Sequence, residues 1–143
     1  MIMIGVGAVI EDSEGRILLV KHRPERKGFW QGKWICPGGK LETGETIEEG
    51  IRREVTEETE LEIELVSPLK PFDRIVRSGD GVSLHVIYID YLARVIAGKL
   101  KVGSDIGEAR WVDKRDIPGI WEELHEDTGR LLQIAGIAGN SKE

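Results

Sequence analysis

The sequence predicts a single α/β or α+β domain in which a mixed β-sheet packs against flanking helices. The chain has 143 residues, enough for one hydrophobic core but too few for two ordinary domains. Its composition is globular, with 40% hydrophobic and 32% charged residues. Segments with strand-like character surround two segments of helical periodicity. We expect the domain to span residues 1–137 and residues 138–143 to form a flexible C-terminal tail.

The first two strands are predicted to form a hairpin. Met3–Ile10 and Arg16–His22 are apolar and rich in β-branched residues, and Asp12–Gly15 between them has the composition of a turn. The polar, glycine-containing segment Arg23–Lys33 is then predicted to be a surface loop.

A short strand is predicted at Lys33–Cys36, ended by Pro37-Gly38-Gly39. The helix that follows has a clear start, because Thr46 is a favourable N-cap and Glu49 three residues later completes a capping box. Its apolar positions recur every four residues and form one face: Ile47, Ile51 and Val55.

The second half of the chain is predicted to be mostly strand. Glu62–Leu69 alternates loosely, and Ser78–Gly81 has the composition of a turn. Alternate apolar residues from His85 to Val95 then predict one long strand, and Glu108–Asp113 a last one. Apolar spacing within Trp121–Ile134 predicts a C-terminal helix.

Charge is distributed unevenly along the chain. The net charge of −6 argues against non-specific binding to nucleic acid or to an anionic membrane. Leu41–Glu64 contains ten Glu and two Arg, a local charge of −8, whereas the rest of the chain carries +2. The excess negative charge therefore lies in one block of 24 residues, where we expect the functional chemistry.

Two features bear on cellular location. The one cysteine, Cys36, cannot form an internal disulfide, which is typical of a reducing compartment. The apolar segment Met1–Ile10 is too short to span a bilayer and lacks the basic region of a signal peptide. We therefore expect a cytoplasmic protein.

Three glutamates of the acidic block share one side of the predicted helix. Glu54, Glu57 and Glu58 fall within about 100° of arc beside the apolar face. Like charges at this spacing repel, so the arrangement indicates a cation site, and all-oxygen ligands favour Mg²⁺ or Mn²⁺. Arg53 is placed to pair with one of these carboxylates. A solvated helix face is the alternative interpretation.

The segment from Gly39 to Leu61, GKLETGETIEEGIRREVTEETEL, resembles the Nudix box, G-x5-E-x7-R-E-U-x-E-E-x-G-U with U a bulky aliphatic. The matching positions are Gly39, Glu45, Arg53, Glu54, Val55, Glu57, Glu58 and Leu61. The resemblance implies the α/β/α sandwich of the family, which also suits the order of elements on either side of the box.

One position of the box departs from the family pattern. Glu60 stands where the family has a glycine that ends the helix. We expect this position to adopt the left-handed conformation, in which a residue other than glycine costs roughly 1 kcal/mol. The metal-facing carboxylates are unchanged, so the departure concerns the helix exit.

The resemblance implies a metal-dependent hydrolase. Nudix enzymes hydrolyse a nucleoside diphosphate linked to another group, through attack of water on a phosphorus atom. Mg²⁺ or Mn²⁺ bound by the box would neutralise the phosphates and activate that water. By analogy, metal ligands are expected at Gly39 (through its carbonyl), Glu54, Glu57 and Glu58. Glu54 is the best candidate for accepting the water proton, with Arg53 and Glu45 orienting the cluster.

Some family members add a carboxylate from outside the box. Glu108 is the first candidate for this metal ligand and Asp105 the second, and a surface acid at the start of a strand is the alternative for either.

The residues before the box bear on the substrate. GFWQGKWICPGG after ILLVKHR most resembles the MutT-like branch, which converts a nucleoside triphosphate to monophosphate and pyrophosphate. Phe29, Trp30 or Trp34 would then stack on a base, with ordinary packing as the alternative for each. Arg23 at the end of the second strand would meet phosphates or be solvated.

Two other functions stay open. One is hydrolysis of ADP-ribose or a nucleotide sugar, although the proline that marks many ADP-ribose enzymes lies further past the box than Pro68 and Pro71 do here. The other is a non-catalytic nucleotide sensor, against which the intact carboxylate set argues. The resemblance implies a small nucleotide as the partner and makes a homodimer plausible.

Overall fold

The structure is a computed structural model that describes residues 1–25, 32–103 and 105–137. Its strands are β1 Met3–Glu11, β2 Arg16–His22, β3 Gly38–Lys40, β4 Glu62–Pro68, β5 Phe72–Ser78, β6 Gly81–Ala97 and β7 Ile106–Asp113. Its α-helices are α1 Ile47–Thr59 and α2 Glu126–Ile134, with 3-10 turns at Lys114–Asp116 and Pro118–Glu123. In these ranges no helix has the length and apolar character needed to cross a membrane.

One mixed sheet contains all of these strands, in the order β4-β6-β1-β2-β7. β1 runs parallel to β6. β5 pairs antiparallel with β6, and β3 pairs antiparallel with β1. The hairpin expected from the sequence is confirmed, with Glu11 of β1 opposite Ile17 of β2 beside the turn. Further along β1, β3 pairs with it at Gly5, Val6 and Gly7.

The side chains of β1 alternate between two hydrophobic cores. Ala8 and Ile10 pack in one core with Ile51 of α1, whereas Val9 packs in the other with Leu132 of α2. Because successive residues of a strand face opposite sides of the sheet, the two helices cover opposite faces. The predicted α/β/α sandwich is therefore confirmed.

The short strand before the helix is placed differently from the prediction. Residues 34 and 35 form isolated bridges, Trp34 with Leu124 and Ile35 with Val20, whereas β3 covers residues 38–40. The two glycines were expected to end a strand, but they belong to β3 and allow it to pair closely with β1. A Cβ on Gly38 would overlap the backbone oxygen of Val6.

One strand was missed, and the prediction of the C-terminal helix was wrong in its extent. The sequence did not indicate β5, which pairs along the first half of β6 around the predicted turn, with Ser78 opposite Gly81. The C-terminal helix expected over Trp121–Ile134 is interrupted, because a 3-10 turn ends at Glu123 and α2 begins after it. His125 caps α2, its Nδ1 accepting a hydrogen bond from the Asp127 amide at 3.1 Å.

Both ends of α1 follow the sequence signals. Thr46 Oγ1 accepts from the Glu49 amide at 3.1 Å, and Glu49 Oε1 accepts from the Thr46 amide at 2.8 Å, which confirms the capping box. At the other end Glu60 has φ 60° and ψ 19°, the left-handed conformation expected there. Among the described residues it is the one non-glycine with positive φ.

Replacing Glu60 with glycine is expected to raise the free energy of unfolding by up to about 1 kcal/mol, because glycine adopts the left-handed conformation without a Cβ penalty. Urea denaturation measures the change. The matched control is Glu60→Ala, which removes the same carboxylate but keeps the Cβ and should gain nothing. Equal stabilisation by alanine and glycine would contradict the backbone explanation.

Candidate active site

The carboxylate face of α1 lies directly against β3. The amide of Gly38 donates a hydrogen bond of 2.9 Å to Glu58 Oε1, and Glu58 is 7% exposed. A Cβ on Gly39 would overlap the carboxylate of Glu54. Glycine is therefore required at residue 39 because the Glu54 carboxylate occupies the space of a side chain, and at residue 38 because the backbone of β1 does.

Arg53 connects the glutamates to one another. Its Nε and Nη2 donate to the two oxygens of Glu45 at 2.5 and 2.9 Å. Its Nη1 donates to Glu54 Oε1 and Glu57 Oε1, both at 2.9 Å, and Nη2 also donates to the Lys40 carbonyl at 3.0 Å. One guanidinium thus fixes three carboxylates and the end of β3, while its role in orienting a catalytic cluster stays a prediction.

These contacts shift the ionisation of both partners in the bidentate pair. The hydrogen bonds from Arg53 lower the pKa of Glu45 to about 2. The same pair, with smaller contributions from Glu54 and Glu57, raises the pKa of Arg53. The arginine and Glu45 therefore stay charged at any physiological pH.

The donor set suits a hard divalent cation, although the carboxylates are turned toward Arg53. Within residues 1–25, 32–103 and 105–137, no three Asp, Glu, His or Cys side chains converge into a ready-made metal cluster. Glu54 and Glu57 direct oxygens at the guanidinium, which serves as their counterion. The oxygens of this face and of the backbone at Gly39 are the ligand type that Mg²⁺ and Mn²⁺ prefer.

A cavity of about 550 Å³ borders the carboxylates, a size in the range of small-molecule sites. Part of its lining comes from β3, α1 and the loop before β7: Gly38, Gly39, Glu54, Glu57, Glu58 and Asp105. Another part comes from β5, β6 and α2: Phe72, Tyr88, Asp90, Asp127, Thr128 and Leu131. An acidic surface and a largely apolar recess therefore share one cavity.

Hydrogen bonds and ion pairs tie β5, β6 and the start of α2 together at this recess. Tyr88 Oη donates to Asp127 Oδ2 at 2.7 Å, and Arg74 Nε lies 3.2 Å from Asp127 Oδ1. Arg74 also forms an ion pair with Glu126. Burial lowers the pKa of His125, which favours the neutral imidazole whose Nδ1 accepts the α2 capping hydrogen bond.

The proposed base-stacking residues have different outcomes. Trp34 is 4% exposed, with Lys21 Nζ at 4.7 Å and Arg110 Cζ at 5.4 Å from its ring centroid. Trp34 is not among the described residues that line the cavity. Its burial between two cations therefore favours packing over base stacking. Phe29 and Trp30 lie outside the described residues, and their role stays a prediction.

The remaining candidates lie near β7. Arg23 is exposed, and its amide donates to the carbonyl of Asp105 at 3.0 Å. The Glu108 side chain is 63% exposed and lies 4.0 Å from Lys21 Nζ. Of the two acids considered outside the box, Asp105 lines the cavity and Glu108 is absent from its described lining.

Sequence reasoning missed the cavity residues of β5, β6 and α2, among them Tyr88, Asp90 and Asp127. Tyr88 and Asp127 meet only through the tertiary fold, so no local pattern reveals them. Asp90 did leave a signal, since it stands between Tyr88 and Leu92 on one face of a strand whose other face is apolar. A lone acid among alternating large residues of a central strand is a candidate site residue.

The pair of Arg53 and Glu45 makes stability depend on pH. Because the folded pKa of Glu45 is lowered to about 2, its contribution is present above the ordinary value of 4.5 and lost as the pH falls toward 2. Urea unfolding at pH 5 and at pH 3 measures the change. Between these two pH values, Glu45→Gln should lose less of its free energy of unfolding than wild type does. The control is Glu62→Gln, an exposed glutamate of β4, which should behave as wild type; equal losses in all three proteins would contradict this.

A family model described as the NUDIX domain matches residues 1–132. The chain is 36% identical over 115 residues to a protein of Methanocaldococcus jannaschii named ADP-ribose pyrophosphatase, covering 80% of this chain and 64% of that relative. It is 27% identical over 132 residues to the Escherichia coli nucleoside triphosphatase NudI, covering 87% of this chain and 91% of the relative.

Solved structures agree with the family match. The MutT NUDIX hydrolase from Burkholderia pseudomallei superposes with a TM-score of 0.78 at 27% identity, covering 94% of this chain and 98% of that one. The MutT protein from Methanosarcina mazei superposes with a TM-score of 0.75 at 26% identity, covering 94% of each chain. With the box glutamates gathered around Arg53 and the matched fold, this chain belongs to the Nudix hydrolase family and is MutT-like.

Proposed function

We propose that this protein hydrolyses a nucleotide pyrophosphate bond with the help of divalent cations, and that its substrate is a nucleoside triphosphate cleaved to monophosphate and pyrophosphate. The observation that carries the proposal is the carboxylate face of α1 opening into a cavity of about 550 Å³. The MutT-named structures and the relative named nucleoside triphosphatase support the choice of substrate.

Charge explains why metal ions belong to the proposal. The phosphates of the substrate are anionic and would be repelled by the glutamates of α1. Mg²⁺ or Mn²⁺ held by these carboxylates would offset the charge of the phosphates and would supply an activated water. We assign the metal ligands to Glu54, Glu57, Glu58 and the carbonyl of Gly39.

The chain's own groups have separate tasks. Glu54 accepts the proton of the attacking water, and Arg53 positions Glu54 while Glu45 holds Arg53. Asp105 is the further carboxylate at the cavity, in preference to Glu108, which is exposed beside Lys21. The phosphates of the substrate lie at the α1 carboxylates, and its base lies in the recess formed by β5, β6 and α2, which includes Phe72.

A second candidate activity is hydrolysis of ADP-ribose. It is favoured by the relative from Methanocaldococcus jannaschii, which shares 36% identity and carries that activity in its name, although the match covers 64% of that protein. A non-catalytic sensor is disfavoured because a pure nucleotide binder has little use for a repulsive carboxylate set.

We place the protein in the cytoplasm, since the buried Cys36 is the one cysteine, and a homodimer is consistent with the family.

Glu57→Gln and Glu58→Gln are each expected to lower turnover at least about 100-fold, because a neutral amide is a poor ligand for a divalent cation. Both amides keep an oxygen that accepts the hydrogen bond from Arg53 or Gly38, so the fold should persist by circular dichroism. The control is Glu62→Gln, remote from the cavity. Turnover of either site variant within threefold of wild type would remove it from the metal set.

The substrate is tested by product analysis. The protein is incubated with Mg²⁺ and, separately, with nucleoside triphosphates, their oxidised forms and ADP-ribose, and the products are resolved by chromatography. Pyrophosphate and monophosphate from a triphosphate are expected. AMP and ribose phosphate from ADP-ribose, with triphosphates left intact, would select the second candidate. Tight nucleotide binding without turnover at saturating Mg²⁺ would instead indicate the sensor.

A further inference from the structure

Asp90 is a buried acid that neither the Nudix box nor the catalytic assignment uses. It lies on β6, is 7% exposed, and lines the cavity. Its backbone carbonyl accepts from the Leu69 amide at 2.9 Å. Among the described residues, its side chain has neither a hydrogen-bond partner nor an ion-pair partner, and burial alone accounts for its raised pKa.

The neighbouring strand leaves room for this carboxyl. Gly7 lies opposite Asp90 in the parallel pairing of β1 with β6, and Gly5 lies opposite Tyr88. A Cβ on Gly7 would lie 2.8 Å from Asp90 Oδ1, and a Cβ on Gly5 would lie 3.2 Å from the Tyr88 ring. The absence of side chains at both glycines opens the floor of the recess at the position of Asp90.

A buried carboxyl without a partner is unfavourable unless a ligand or water completes its hydrogen bonds. Burial raises the pKa of Asp90 to about 7, so both ionisation states are populated near neutral pH. In either state the carboxyl accepts hydrogen bonds, and in the protonated state it also donates one. The group is therefore suited to a neutral partner that presents an N–H.

The other residues of the recess indicate which class of ligand it can bind. The rings of Phe72 and Tyr88 have centroids 4.9 Å apart, and Leu131 adds an apolar surface. Asp127 contributes a second carboxylate to the same lining. Asp127 is already bound by Tyr88 and Arg74, so Asp90 is the acceptor that a flat, uncharged ring with N–H donors would meet between these apolar walls.

We propose that Asp90 is a specificity-determining residue that binds the nucleobase of the substrate, its carboxyl accepting a hydrogen bond from a ring or amino N–H on the edge of the base. The proposal rests on the proposed function, in which the substrate is a nucleotide. It orients the nucleotide with its base in the recess of Phe72 and its phosphates toward the α1 carboxylates.

The test compares each substrate with an analogue that lacks the edge N–H, such as adenine without its amino group or uracil methylated at N3. Wild type is expected to prefer the natural base by about tenfold or more in kcat/KM. Asp90→Leu, similar in shape but without an acceptor, should reduce the preference to within about twofold. Asp90→Asn keeps one acceptor oxygen and should retain part of the preference.

Cys36→Ala is the matched control, because Cys36 lines the same cavity but offers no comparable acceptor, and it should keep the wild-type preference. Should Asp90→Leu not fold, the ¹³C resonance of the Asp90 carboxyl in wild type is followed during titration with nucleosides without metal. A shift caused by the natural nucleoside and not by the analogue supports the proposal.

Two results would overturn the assignment of Asp90: equal kcat/KM of wild type for natural and modified bases, or an Asp90→Leu variant that keeps the full preference. Absence of turnover with every nucleotide and metal would instead contradict the proposed function. The nucleoside titration then decides on Asp90 separately, since it requires no hydrolysis, and an unchanged carboxyl resonance would overturn the base-binding role.

Discussion

Contact between β3 and the carboxylate face of α1 is the constraint on which the rest of this site depends. Gly39 has no side chain, so the strand approaches the helix closely, and the amide of Gly38 binds the Glu58 carboxylate. The same strand pairs with β1, which carries Gly7 opposite Asp90. Any side chain at these glycines would separate the acidic surface from the sheet and from the recess beyond it.

Local signals in the sequence predicted the parts of the structure that local interactions decide. The N-cap at Thr46, the carboxylate face of α1 and the left-handed Glu60 each depend on residues within a few positions, and each was confirmed. The mixed sheet with helices packed against it followed from periodicity and from the resemblance. The helix of the box was accordingly the most predictable element.

Predictions were wrong where distant residues decide the outcome. β5 is held by its pairing with β6, and its own alternation is interrupted by charged residues. The position of β3 depends on β1, which pairs with its glycines, and the environment of Trp34 depends on its bridge to Leu124. Neither partner is close in the sequence. Asp90 was missed, because the significance of an acid in a strand depends on the cavity, which no local pattern describes.

Arg53 gives the acidic helix a counterion from within its own sequence. Small metal-dependent folds that lack such a group are unfolded until the metal arrives, because their ligands repel one another or have no core to hold them. Here Glu45, Glu54 and Glu57 are already hydrogen-bonded by one guanidinium, which offsets one of their three negative charges. The side-chain entropy of ordering these carboxylates is therefore lost when the chain folds and not when a cation binds to them.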